Sequence, residues 1–333
     1  MEQPRVTLAH GNGGRFMREL IDEVFARHLA NEQLDTHTDA AHLSLSGDLL
    51  FSTDGFTVQP LEFPGGTIGS LAVHGTVNDL AVAGAIPKVL SLNAFIEEGL
   101  TFEQLERIVA DLAAAAKTCG VHVVAGDTKV VRHGEGSGLY LATSGIGVRA
   151  TAEVLSLRNI RPGDKLLVSG SVGDHGTAVM LAREQFGLKG DLESDAASVL
   201  PLAQALFDLP GLRFMRDPTR GGLATVAHEI AEACQFGVRL QEARIPVKDP
   251  VRAVCEMLGY DPYYLACEGR VVAIVAEDAA DEALARWQAL PEGAEAALIG
   301  TVEQDGNRVV LETALGGERF LEELEDDPLP RIC

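Results

Sequence analysis

Residues 121–129 read Val-His-Val-Val-Ala-Gly-Asp-Thr-Lys. The β-branched run from Val121 to Val124 predicts a strand, and Gly126, Asp127, Thr128 and Lys129 follow it directly. A carboxylate and an ammonium at the carboxyl end of a strand lie where open α/β sheets gather their chemistry. Upstream, the pattern alternates in type. A strand is expected from Val89 to Phe95, then a helix from Phe102 to Ala116 with apolar residues at 102, 105, 108, 109 and 112. Before these, Phe63-Pro64-Gly65-Gly66 opens a helix from about Thr67 to Ala83, and strands are expected at 42–45, 49–51 and 56–58. Downstream, a glycine-rich loop around 134–138 leads to a strand at 139–143, and the turn Arg161-Pro162-Gly163-Asp164 starts a second domain at the strand 166–169. Strands and helices mixed in this way predict an α/β (α+β) protein of two domains.

The chain has 333 residues, which is too long for one ordinary core. Its 46% hydrophobic and 23% charged residues describe a soluble globular protein. No apolar run approaches the ~18 residues of a membrane span, so neither a membrane protein nor a secreted one is expected. Five cysteines, an odd set without a Cys-x-x-Cys, argue against a disulfide framework or a structural zinc site and fit a reducing cytoplasm. The formal net charge of −22 excludes binding to nucleic-acid backbone or anionic membrane as a function class. It also means that a phosphate ligand would need divalent cations to offset repulsion.

Several residues stand out against this background. Asn78 and Asp79 interrupt an otherwise apolar helix, which is costly unless both are satisfied. Gly-rich backbone before a helix can cradle phosphate at His10-Gly11-Asn12-Gly13-Gly14, though glycines also simply make turns. The segment Arg216-Asp217-Pro218-Thr219-Arg220-Gly221-Gly222 places two arginines at the start of the helix 223–234 and is the stronger anion candidate. Glu268 enters the apolar strand 271–276, where it could serve as a base or stand as a solvated turn residue. Four familiar templates fail. Gly145, Gly147 and Ala150 match a dinucleotide fingerprint, but the turn at 161–163 comes too soon for its helix and strand. His228 and Glu229 lack the second histidine of a zinc protease, Glu232 standing in its place, and neither a Walker loop nor a Gly-x-Ser-x-Gly elbow occurs.

The last residues are Pro328-Leu329-Pro330-Arg331-Ile332-Cys333, after the acidic run Glu322, Glu323, Glu325, Asp326 and Asp327. Two prolines favour an extended arm at ~3.1 Å per residue, so residues 326–333 could reach about 25 Å. A frayed terminus is the plain reading. An exposed thiol invites oxidation, however, and a thiol at the tip of an arm suits one that carries a group.

Together these segments closely resemble the HypE family of hydrogenase maturation factors in the PurM-like (AIR synthase-like) ATP-binding superfamily. The matching stretches are His10 to Gly14, Ser52 to Val58, Phe63 to Gly66, Gly75 to Ala83, Gly126 to Val131, Gly173 to Gly176, Asp217 to Ala224, Glu268 to Arg270 and Pro330 to Cys333, in order along the whole chain. Terminal Pro-Arg-Ile-Cys together with Gly-Asp-Thr-Lys is the specific pairing. Asn12 and Cys267 depart from the family pattern. The resemblance implies an N-terminal ATP-binding and dimerisation domain over 1–158 with a mixed sheet, a C-terminal α/β sandwich over 159–320, and a mobile tail over 321–333. It implies a homodimer that binds ATP and magnesium, with Asp54, Asp79 and Asp127 as metal and phosphate carboxylates and Asp39 as a fourth. Asn78, Asp217 and Arg220 are similar to nucleotide-site residues, and Lys129 and Glu268 to catalytic ones. By the same resemblance HypF loads a carbamoyl group on Cys333, the chain dehydrates it to a thiocyanate, and the cyano group passes to iron held by the HypC–HypD complex. Another PurM-like enzyme, selenophosphate synthetase-like or aminoimidazole ribonucleotide synthetase-like, would share the ATP site and ignore the tail. A selenophosphate synthetase keeps its reactive residue near the N-terminus, whereas no cysteine here precedes Cys119. A non-catalytic scaffold would use the tail only for docking.

Overall fold

The computed structural model describes residues 3–38, 40–183 and 190–324, so Asp39 and Cys333 lie outside the described residues. The chain divides into two compact units, one of residues up to 80 together with 86–149, the other of 81–85 together with residues from 150 onward.

The first unit is built on a four-stranded sheet in the order Leu49–Phe56, Leu139–Arg149, Ala85–Glu97, His122–Val131. The first pair is antiparallel and the last pair parallel, so the sheet is mixed. Helices Ile68–Val82 and Phe102–Cys119 supply its apolar cover. The second of these starts where Thr101 accepts the Gln104 amide and stops where Gly120 takes a left-handed conformation, φ 67°. Its buried stripe of Leu105, Ile108, Val109 and Leu112 follows the spacing read from sequence. Helix 68–82 is pressed tightly on both sides. A Cβ on Gly69 would lie 2.3 Å from the Ile108 carbonyl oxygen, and one on Gly145 would lie 2.8 Å from the Thr76 methyl. Gly145 is thus a packing residue in mid-strand, which explains why its spacing to Gly147 carries no dinucleotide site.

Several expectations about strands change. The separate strands expected at 49–51 and 56–58 are one strand, Leu49–Phe56, and the one expected at 139–143 runs on to Arg149 as its antiparallel partner. Residues 42–45 form no strand, because the partner strand ends at Arg149, whose amide donates to the Asp48 carbonyl at 2.9 Å, and Gly47 turns the chain at φ 106°. Conversely, the strand expected to stop at Val124 continues to Val131. Its register against 85–97 skips Val124, a bulge that lets pairing resume through Gly126, where a Cβ would sit 2.4 Å from the Leu92 carbonyl oxygen. Gly-Asp-Thr-Lys therefore lies inside a strand, not after one.

The second unit has a seven-stranded sheet in the order Glu318–Phe320, Val309–Glu312, Gly237–Gln241, Ala297–Glu303, Lys165–Val168, Val272–Val275, Leu212–Arg216. Strand 272–275 is apolar and buried at every position, and its neighbour 165–168 after Lys165, because both faces are covered. Leu166, Val168, Val272 and Ile274 face helix Gly222–Cys234, while Leu167, Ala273 and Val275 face the layer of Leu202, Ala283 and Trp287. Trp287 is fully buried and donates its indole N–H to the Leu202 carbonyl at 2.9 Å.

The close approach at Gly69 is directly testable. Gly69→Ala should lower unfolding stability by about 1–3 kcal/mol through overpacking against helix 102–119. Gly55→Ala, where an added Cβ meets nothing within 4 Å, should be close to neutral. Urea denaturation of the two variants measures both, and equal stabilities would contradict the packing described.

Candidate functional site

In the first unit the polar residues come from three elements. Ser52 and Asp54 alternate onto the same face of strand 49–56. Ser52 Oγ donates to Asp79 Oδ2 at 2.6 Å, and a Cβ on Gly75 would lie 3.6 Å from Asp54 Oδ2. Glycine at 75 makes room for the Phe56 ring, 2.8 Å from such a Cβ, and the Asp54 carboxylate comes to ordinary contact distance of the helix that carries Asp79. Asn78 on that helix is buried, 1% exposed. Asp54 is exposed, and one of its oxygens accepts the Gly55 amide at 2.7 Å.

Asp127 and Lys129 share a face of strand 122–131, and Lys129 Nζ stands 2.8 Å from Asp127 Oδ2. The other carboxylate oxygen accepts the Thr128 amide at 2.8 Å. The Lys129 ammonium, with help from that amide, holds the Asp127 carboxyl below the usual carboxylate range against a smaller opposing effect of burial. The first glycine loop reaches the same strand, since a Cβ on Gly11 would lie 2.9 Å from Val130 Cβ. Sheet order sets Asp54 and Asp127 on the first and fourth strands, three spacings of ~4.8 Å apart. Among the described residues no three His, Cys, Asp or Glu side chains come together as a metal site.

In the second unit, the segments that carry Asp217 and Glu268 are joined by a backbone contact. The Cys267 amide donates to the Pro218 carbonyl at 3.0 Å, which joins the residue after Asp217 to the residue before Glu268. Asp217 and Glu268 are both buried, at 7% and 4% exposure, and Arg220 is exposed. The loop enters helix 222–234 through Gly221 and Gly222, both at positive φ. A Cβ on Gly222 would lie 2.5 Å from the Tyr263 carbonyl oxygen, so only glycine lets the helix start this close to residues 263–265. Cys267 is fully buried and its sulfur accepts the Gly173 amide at 3.2 Å. Burial, reinforced by Asp195, pushes this thiol well above its ordinary range, so it is a packing residue. His228 turns its Nε2 to the Leu321 carbonyl at 2.8 Å, and Glu229 pairs with Arg216 at 3.3 Å.

Sequence reasoning overlooked the charges beneath Glu268. Asp174, Asp195 and Arg270 form a buried network with Ser171 and Lys248. Asp174 and Arg270 belong to quoted motifs, but nothing in the stretch Ser194-Asp195-Ala196-Ala197 marks Asp195 as more than a loop residue.

Both units match known family models. Residues 37–149 match the AIR synthase related protein, N-terminal domain, and 161–312 the AIR synthase related protein, C-terminal domain. Carbamoyl dehydratase HypE of Azotobacter vinelandii is 48% identical over 331 residues, covering 98% of this chain and 97% of that protein. The chain belongs to the HypE family. Among solved structures, a HypE in complex with ATP superposes with a TM-score of 0.94 at 45% identity, covering 98% of this chain and 99% of that one. A chain of a HypE–HypF complex is similar with a TM-score of 0.81 at 43% identity, over 92% and 99% of the two chains. The two PurM-like units of this HypE-family chain are therefore shown, and they carry the quoted motifs on the elements described above.

The ion pair on strand 122–131 predicts a titration. In the intact protein the Asp127 carboxyl should titrate below the ordinary carboxylate range, and Lys129→Met should move it upward, as followed by carboxyl carbon NMR against pH. An Asp127 titration unaffected by Lys129→Met would contradict the pairing.

Proposed function

We infer that this chain is an ATP-dependent carbamoyl dehydratase, converting a carbamoyl group held on the Cys333 thiol to a thiocyanate that supplies the cyanide ligand of NiFe-hydrogenase iron. Full-length kinship with carbamoyl dehydratases carries this reading. Reuse of the site for another phosphorylated small molecule would leave the terminal Pro-Arg-Ile-Cys without a purpose.

Loss of water from a carbamoyl thioester requires an oxygen leaving group, and ATP supplies one by donating its γ-phosphoryl to that oxygen. The carboxylates suit magnesium, because hard oxygen donors on exposed or half-buried aspartates match its ligand preference. We place magnesium ions at two separate positions, one held by Asp54 and Asp79 and one by Asp127, with Asp39 as a further ligand. Such ions would neutralise the triphosphate in a chain of net charge −22. Asn78, Asp217 and Arg220 bind and orient the nucleotide in this reading. Lys129, a compact point charge already held by Asp127, stabilises negative charge on the transferring group. One N–H proton is lost as the oxygen is phosphorylated to an imidate, and Glu268, nearly enclosed by protein, takes the second as phosphate leaves, so that the carbon–nitrogen triple bond forms on the Cys333 sulfur. The same carboxyl needs a low-water setting to act as a base, which its burial favours.

The partners follow from the same reading. HypF loads the thiol, the HypC–HypD complex accepts the cyano group, and the reaction belongs in a reducing cytoplasm. A homodimer is supported by strand 49–56, which has one neighbouring strand among the described residues and on which Leu49 is 49% and Phe51 69% exposed.

Two substitutions separate the parts. Cys333→Ser replaces a readily ionised nucleophile with a hydroxyl, so carbamoylation by HypF should stop while ATP affinity stays at the wild-type level. Asp127→Asn should weaken ATP binding in the presence of magnesium while leaving Cys333 open to loading. Calorimetry with ATP and carbamoylation assays read the two outcomes, and hydrogenase maturation by Cys333→Ser at the normal rate would overturn the reading.

A further inference from the structure

Glu268 sits on a short connection rather than inside a regular element, so its carboxyl can be aimed only if its backbone is fixed by something else. The residue that fixes it is 73 positions away. Asp195 Oδ1 accepts the Glu268 amide at 3.2 Å, and Asp195 Oδ2 accepts the Gly269 amide, also at 3.2 Å. One carboxylate thus holds two successive backbone N–H groups. The return contact runs from the Ala197 amide to the Glu268 carbonyl at 3.4 Å. Backbones pack so closely that a Cβ on Gly269 would lie 1.9 Å from the Asp195 carbonyl oxygen, which leaves glycine as the residue that fits there.

Asp195 is itself held in place. Its side chain is 1% exposed and faces the Arg270 guanidinium, with Nε 3.5 Å from Oδ2. Arg270 also donates Nε–H to the Ser171 carbonyl at 3.0 Å and reaches Asp174 Oδ2 at 3.5 Å. Asp174 is fully buried and is drawn by Lys248 Nζ at 2.7 Å and by Ser171 Oγ at 2.5 Å. At the other end, Ser194 Oγ lies 2.8 Å from His175 Nδ1 and accepts the Ala196 amide at 2.9 Å. Such an arrangement is a poor choice for stability alone, because burying two carboxylates and a guanidinium costs more than an apolar core of the same volume often would. Burial pushes the Asp195 carboxyl upward, and the nearby Arg270 charge opposes that.

We propose that Asp195 is a positioning residue for the dehydration step, holding the backbone of Glu268 so that its carboxyl meets the carbamoyl nitrogen, with Arg270 and Asp174 as the anchor. This rests on the reading of Glu268 as the proton acceptor. Asp195→Asn keeps the shape, but it turns one accepting oxygen into an amine that faces a backbone N–H, so half of the clamp is lost. Displacing a reacting group by about 1 Å can cost ~100-fold in rate, so a fall of about 10–100-fold in kcat is expected, with KM for ATP unchanged.

The test uses the full chain, carbamoylated on Cys333 by HypF, and compares dehydration rates of wild type, Asp195→Asn, Glu268→Gln and the double variant. Acting through Glu268, Asp195→Asn should slow the wild type and add nothing once Glu268→Gln is present. An equal loss in both backgrounds, or a wild-type rate for Asp195→Asn beside a slow Glu268→Gln, would overturn the positioning role and leave the Glu268 reading intact. A wild-type rate for Glu268→Gln would instead remove the Glu268 reading, and the positioning role with it. If Asp195→Asn does not fold, Arg270→Lys replaces it, since it loosens the ion pair that anchors Asp195 while leaving both of its accepting oxygens in place. The same non-additivity is then required, and an additive loss overturns the proposal.

Discussion

A polyanionic nucleotide has to approach a chain whose own formal charge is −22, and that constraint shapes the placement of charge throughout. Lys129 does not stand free as a phosphate hook. It lies 2.8 Å from Asp127 on the same strand face, an ion pair that keeps the carboxylate ionised and the ammonium aimed before any ligand arrives. Asp79 is likewise held by Ser52, and Asp54 by the Gly55 amide, before any ligand arrives. Backbone donors at the glycine loops add positive potential without adding residues of positive charge.

The same physics runs in reverse in the second unit, where charges are withdrawn from water instead of presented to it. Asp174 and Asp195 are paired there with Arg270 and Lys248, and the two oxygens of Asp195 accept the backbone amides of Glu268 and Gly269. An apolar core can hold a strand, but it cannot direct two successive amides of an irregular connection. The buried carboxylate does, at the cost of desolvation, and the Gly269 contact shows how little freedom remains.

Much of this was legible in the sequence, for physical reasons that also mark the limits. Asn78 and Asp79 announced themselves because polar side chains in an apolar helix need partners, and Asp79 has one in Ser52. Helix 102–119 followed from its apolar spacing. Gly-Asp-Thr-Lys stands out by residue type but is expected just past the strand's end, since nothing in a one-dimensional pattern reveals a bulge at Val124 that lets a strand run on through a glycine. Residues 42–45 looked like a strand because alternation was present, yet no partner edge is available there. Asp195 was invisible. Its partners are far away in the chain, and its neighbours Ser194 and Ala196 have the look of an ordinary turn.

The central claim is that Cys333 carries a carbamoyl group that this chain dehydrates. Peptide mass spectrometry after incubation with HypF, carbamoyl donor, ATP and magnesium reads it directly. The account predicts a carbamoyl adduct on the Cys333 peptide, followed by loss of one water from that same peptide only when ATP is supplied to the chain. An adduct that persists unchanged while ATP is present, or a dehydrated product on any other residue, would contradict it.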